Sequence, residues 1–80
     1  MNLLECKPGN VYKCSSDLIA HTFTGGVTNL AQNASFLLIK HYPPDHRGET
    51  VMVEILGPNF HGSICFVNGK VDEFEFHEVC

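Results

Sequence analysis

Histidine and cysteine are the side chains here best able to hold a metal or attack a substrate, and the chain carries five of the first and four of the second. Structural zinc sites are usually built on cysteine pairs about two to four residues apart. No two of Cys6, Cys14, Cys65 and Cys80 come that close, and His21, His41, His46, His61 and His77 are scattered along the chain. No metal and no cofactor is therefore expected. Cys14 and Cys65 read as strand or core residues, and the histidines as mostly exposed. A Cys/His zinc-binding domain, or a thiol-based activity built on Cys14, Cys65 and strand histidines, is the rival from a different class.

Nucleophilic catalysis needs a cysteine or serine, a histidine and an orienting carboxylate that meet in space. Nothing resembles Gly-x-Ser-x-Gly. The adjacent acids Asp72 and Glu73 would project to opposite faces of a strand rather than share a substrate. No catalytic residue is assigned, and the chain reads as a non-enzyme.

Binding chemistry has better material. Thr24-Gly25-Gly26-Val27-Thr28-Asn29 combines hydroxyls with glycines that allow successive amides to face one anion. It lacks the Lys-Ser/Thr ending of a P-loop, and the plainer account is a turn between strands. With His21 and Asn33 nearby, the ligand-contacting set expected is His21, Thr24, Gly25, Gly26, Thr28, Asn29 and Asn33. A second set is Tyr42, Pro43, His46 and Arg47, where an aromatic beside a rigid diproline precedes a cation. Tyrosine and arginine are typical interface anchors, although a strand terminator with a charged loop would look the same.

These groups must be positioned by a short chain. Its 80 residues make one domain, 1–80, which buries only a little over ~60% of its unfolded surface. There is no room for a deep cleft between lobes. An apolar fraction of 44% with 18% charged residues is that of a globular domain. Plentiful valine, isoleucine and phenylalanine, with Gly and Pro clustered between apolar runs, point to an all-β fold. The formal charge of −4 and the scattering of Lys7, Lys13, Lys40, Arg47 and Lys70 argue against nucleic acid as a partner. No apolar run approaches the ~20 residues needed to span a membrane. Met1 to Glu5 has no secretory character, so a cytoplasmic location with free thiols is expected.

The strongest local signal is Asn68-Gly69 between apolar runs, which predicts a β-hairpin. A three-residue loop with a bulge at Gly69 would keep Ile64, Phe66, Phe74 and Phe76 on one face. Earlier in the chain, strands are expected at Val11 to Cys14, Leu18 to Phe23, Ser35 to Tyr42 and Thr50 to Leu56, the first two able to pair as a hairpin. Residues 27–34 are expected as a loop or one short helical turn. Phe36 to Ile39 is apolar on both faces, which suits a central strand or a partner interface. In number and spacing the strands resemble an SH3-like small barrel, or a rolled antiparallel sheet of five to six strands. That resemblance rests on layout and implies a fold, not a function.

The functional expectation is a small binding protein, in the style of virus- or mobile-element-encoded modules. It would inhibit a host protein, or sequester a small polar, nucleotide-like ligand as a homo-oligomer associated through Phe36 to Ile39. The alternative is a monomeric adaptor or inhibitor acting through an edge strand or the diproline loop.

Overall fold

The computed structural model describes residues 1–43, 47, 48 and 50–79, and the side chains of all of these except 67–69. Among them, seven antiparallel strands form one sheet curled into a half-barrel. The strands are β1 (Val11–Cys14), β2 (Leu18–Thr22), β3 (Val27–Leu30), β4 (Ser35–His41), β5 (Thr50–Leu56), β6 (His61–Val67) and β7 (Phe76–Glu78). Their order across the sheet is β3-β2-β6-β5-β4-β1-β7. The all-β expectation holds, with seven strands in place of five or six. The helical content is two 3-10 segments, Leu3–Glu5 and Asn68–Glu73.

Alternation decides which face each residue takes. Tyr12, Phe36, Leu38, Val53, Ile55, Ile64 and Phe76 fill the concave side, all nearly or fully buried. Leu3 and Val71, from the two 3-10 segments, join the same core. In the double apolar run, Phe36 and Leu38 are core residues, whereas Leu37 and Ile39 lie half-buried on the other face. A bulge follows, because β4 advances from Leu38 to Lys40 while β5 moves only from Ile55 to Glu54. The extra residue reverses the parity of what comes after it. Lys40 therefore joins Glu54 on the convex face, and His41 turns inward opposite Val53, where its Nε2 lies 2.7 Å from the Cys6 carbonyl.

Three expectations of pairing are corrected. Asn68-Gly69 does not close a hairpin: the chain runs on through the 3-10 segment, and β7 pairs with β1 instead of β6. Packing outweighs the turn preference here, since Val71 is buried and Phe74 stacks on Phe66 at 4.6 Å between centroids. All four of Ile64, Phe66, Phe74 and Phe76 still pack on one core. Second, β1 and β2 are not partners, and β1 lies between β4 and β7. Third, residues 27–30 are a strand rather than a loop or helical turn. The three-residue bulged loop appears at this other place, Phe23-Thr24-Gly25. Gly25 has φ +96°, and its N–H donates to the Thr22 carbonyl at 3.1 Å. Thr22 Oγ1 accepts from Gly26 N at 2.9 Å and shares a hydrogen bond with Thr24 Oγ1 at 3.0 Å. Local hydroxyls thus specify a turn that glycine alone would not.

The β2–β3 hairpin joins the remaining sheet through His21 opposite Ser63 and Thr22 opposite Gly62. Gly62 is required there, because a Cβ would overlap the His21 carbonyl oxygen.

Candidate functional site

Two places on this frame gather polar side chains. The first is a small open cleft where β3 meets the turn between β5 and β6. Thr28, Asn29, Leu30 and Ala31 form one wall with Ala34, and Pro58, Asn59 and Phe60 form the other, around about 200 Å³. Its floor is apolar, since Leu30 is buried and Phe60 packs against the core. The Phe60 ring sits over Gly57, where any Cβ would overlap it, and the Gly57 N–H donates to the Phe60 carbonyl at 2.8 Å. Among the described residues, no hydrogen bond engages the side chains of Thr28, Asn29 or Asn59. Along β3 the side chains of Thr28 and Leu30 share one face and that of Asn29 takes the other, so an aromatic ring with the Thr28 hydroxyl and the Asn59 amide is what could hold a flat polar group by stacking and hydrogen bonding. The volume lies below the ~300–1,000 Å³ of sites for drug-sized molecules. It fits one ring or one side chain.

The second place is on the convex face, centred on Glu54. The Tyr42 hydroxyl donates to Glu54 Oε1 at 2.9 Å, and His61 Nε2 lies 2.6 Å from Glu54 Oε2. Lys40 Nζ stands 4.6 Å from the Tyr42 ring centroid, and Phe23 packs edge-on to His61 at 4.7 Å. The hydrogen bonds from His61 and Tyr42 hold the Glu54 carboxyl below its usual range, and the bond to Glu54 raises the Tyr42 phenol. Both oxygens of Glu54 are thereby occupied, so the carboxylate is a cross-strand clamp rather than a free base.

The expected ligand set divides between these surroundings. Thr28 and Asn29 line the cleft. His21 is exposed, opposite Ser63. The amides of Gly25 and Gly26 and the hydroxyl of Thr24 are engaged inside the turn. Asn33 takes a left-handed backbone, φ 65°, in the turn before β4, and its N–H donates to the Cys14 carbonyl at 2.8 Å. Asparagine tolerates that conformation better than most residues. In the expected partner set, Tyr42 belongs to the Glu54 network while Pro43 and Arg47 are exposed. His46 lies outside the described residues.

Asn59, Phe60, Glu54 and His61 are the additions. Phe60, an aromatic just after the Gly57-Pro58-Asn59 turn, was the available signal for the cleft. Glu54, the one charge in an otherwise uncharged strand, was the signal for the clamp.

The thiols show no poised nucleophile where they are buried. Burial pushes Cys6 up to about 11 and also raises Cys14, the direction that suppresses thiolate. Cys6, Cys14 and the exposed Cys65 are unpaired, and Cys80 lies outside the described residues. Among the described residues, no three His, Cys, Asp or Glu side chains are placed to share a metal ion, and no helix is long and apolar enough to cross a membrane. Comparison with protein-family models, curated proteins and solved structures finds no match to this chain.

Proposed function

We propose that this is a non-enzymatic binding protein that captures a small, flat polar group, such as the base of a nucleotide-like ligand, in the cleft between β3 and Phe60, and so sequesters its carrier. One observation carries the reading: Thr28 and Asn59, whose side chains bond no described residue, line a cleft beside the Phe60 ring on an apolar floor. Polar side chains facing one small concavity without protein partners are what a ligand site needs for orientation, and the apolar floor supplies the affinity. The curled sheet supports a small-barrel architecture, of which the SH3-like barrel is one type; the cleft requires only the curl. Buried unpaired thiols suit a reducing compartment such as the cytoplasm.

The test is a native mass spectrum of protein taken from cells, followed by an amide-shift titration with adenosine and guanosine monophosphates. Retained small-molecule mass, or shifts confined to Thr28, Asn29, Asn59 and Phe60 that vanish in Asn59→Ala, is the expected result. Gly57→Ala should act similarly by displacing the Phe60 ring. A bare protein whose cleft amides respond to neither nucleotide would overturn the nucleotide-like assignment.

A further inference from the structure

Strand β3 ends one side of the sheet, and its hydrogen-bonding pattern follows from one contact. The Thr22 N–H donates to the Gly26 carbonyl at 2.9 Å. Hydrogen-bonded pairs alternate along an antiparallel ladder, so the next ones are Ala20 with Thr28 and Leu18 with Leu30, both in register. Val27 and Asn29 therefore point their N–H and C=O groups away from β2, and no described residue bonds them. Val27 is 65% exposed, and Ile19, opposite Asn29 on β2, is 66% exposed.

Natural edges are normally protected by lysine, proline, a bulge or a covering segment. Here no Asp, Glu, Lys or Arg occurs from Leu18 through Ile39, and no proline either. No bulge interrupts the register of β2 with β3. The opposite edge is treated differently. Val79 N donates to the Val11 carbonyl, which by the same alternation turns Phe76 and Glu78 outward on β7. Phe76 is then occupied by Met1, whose carbonyl accepts from Phe76 N at 2.8 Å and whose ammonium donates to Phe76 O at 3.1 Å. Glu78 adds a charge.

We propose that β3 pairs with β3 of a second copy of this chain, antiparallel about a two-fold axis through Thr28. Only that centre uses both outward residues, setting Val27 against Asn29 of the second copy and Asn29 against its Val27. The occupant follows from charge and closure. A chain of net charge −4 meets its own copy without like-charge contact only along an uncharged edge, and β3 is such an edge. A head-to-tail addition would need β7, which is capped, so pairing stops at two copies. The dimer and the cleft share Asn29, so the two readings are told apart at the residues they do not share, Val27 for the dimer and Asn59 and Phe60 for the nucleotide-like ligand.

Sedimentation across micromolar to millimolar protein, with amide exchange read residue by residue, tests it. The expected result is a monomer–dimer equilibrium in which Val27 and Asn29 amides become protected as concentration rises. Val27→Pro removes an outward N–H that β2 does not use, and Val27→Lys places charge at the junction; each should shift dimerisation at least tenfold toward monomer. If Val27→Pro does not fold, Val27→Lys carries the comparison. A monomer at all concentrations would overturn the proposal. So would a dimer that survives Val27→Lys with Val27 and Asn29 unprotected, or growth beyond two copies. The measurement is made without nucleotide, so that protection of Val27 and Asn29 reports the pairing alone and a failure of nucleotide binding at Asn59 is scored separately.

Discussion

At one edge of the sheet the backbone of β7 is held by the chain's own first residue; at the other, β3 leaves the amides of Val27 and Asn29 facing outward. The two strands are similar in length, three and four residues. The difference lies in what surrounds them. The side chain of Phe76 is buried against Phe36, with ring centroids 6.0 Å apart, and Asn10 Nδ2 donates to Glu78 at 2.9 Å. Leu30 anchors β3 in the core, but among the described residues no chain end or side chain bonds its outward backbone. An edge is thus closed by leftover chain and charge rather than by strand strength, and an edge lacking both becomes a surface for recognition.

The sharpest way to break this comparison is Phe76→Ala. Emptying a fully buried aromatic site should cost about 3–5 kcal/mol, measured by urea unfolding, and should release Met1 with it. A loss no larger than that of a surface substitution, about 0.5 kcal/mol, would mean that β7 is not fastened as described. Gly62→Ala attacks the other half. Its Cβ overlaps the His21 carbonyl, and overpacking of this kind costs about 1–3 kcal/mol. Amides of β2 and β3 should then exchange faster while those of β1 and β7 remain protected; uniform loosening would contradict a weakly joined hairpin.

The pH dependence on the β7 side should be smaller. The hydrogen bond from the Met1 ammonium holds the Glu75 carboxyl below its ordinary value of 4.5, and the same bond raises the ammonium above its ordinary 8.0. The lowered carboxyl contributes stability above 4.5 that fades as pH falls through its folded value. The raised amine contributes below 8.0, and that share fades as pH rises through its folded value. Glu75→Gln should flatten both arms of a stability–pH curve, and an unchanged curve would remove this ion pair from the β7 fastening. Smallest of all, Val27→Lys should leave monomer stability within about 0.5 kcal/mol, as for other exposed positions. A larger loss would show that Val27 supports the hairpin itself.

Much of the architecture was legible because it is written in period-two alternation. Val51, Val53 and Ile55 face inward together as the pattern of β5 predicts, and Pro43 lies just beyond the end of β4. Pairing was not legible, since it depends on residues far apart in the chain. Asn68-Gly69 carried the stronger turn signal, yet the bulged hairpin formed at Gly25, where Thr22 and Thr24 stabilise the turn. The bulge after Leu38 was likewise silent in sequence, and it alone brings Lys40 and Glu54 to the same face. For the cleft, Thr28 and Asn29 stood out as polar residues without a structural duty. Asn59 and Phe60 could be added only once β3 was known to be a strand running beside their turn.

The place of β1 between β4 and β7 also sets a timetable for folding. The meander of β4, β5 and β6 is joined by short connections, while β1 must meet β7 across nearly the whole chain. Closing such a loop costs entropy before any ladder repays it, and folds dominated by distant pairings are slow. The meander is therefore the natural nucleus, and the β1–β7 seam the final closure. Pulse-labelled refolding should protect Val53 and Ile64 amides before that of His77; the reverse order would place the nucleus at the seam.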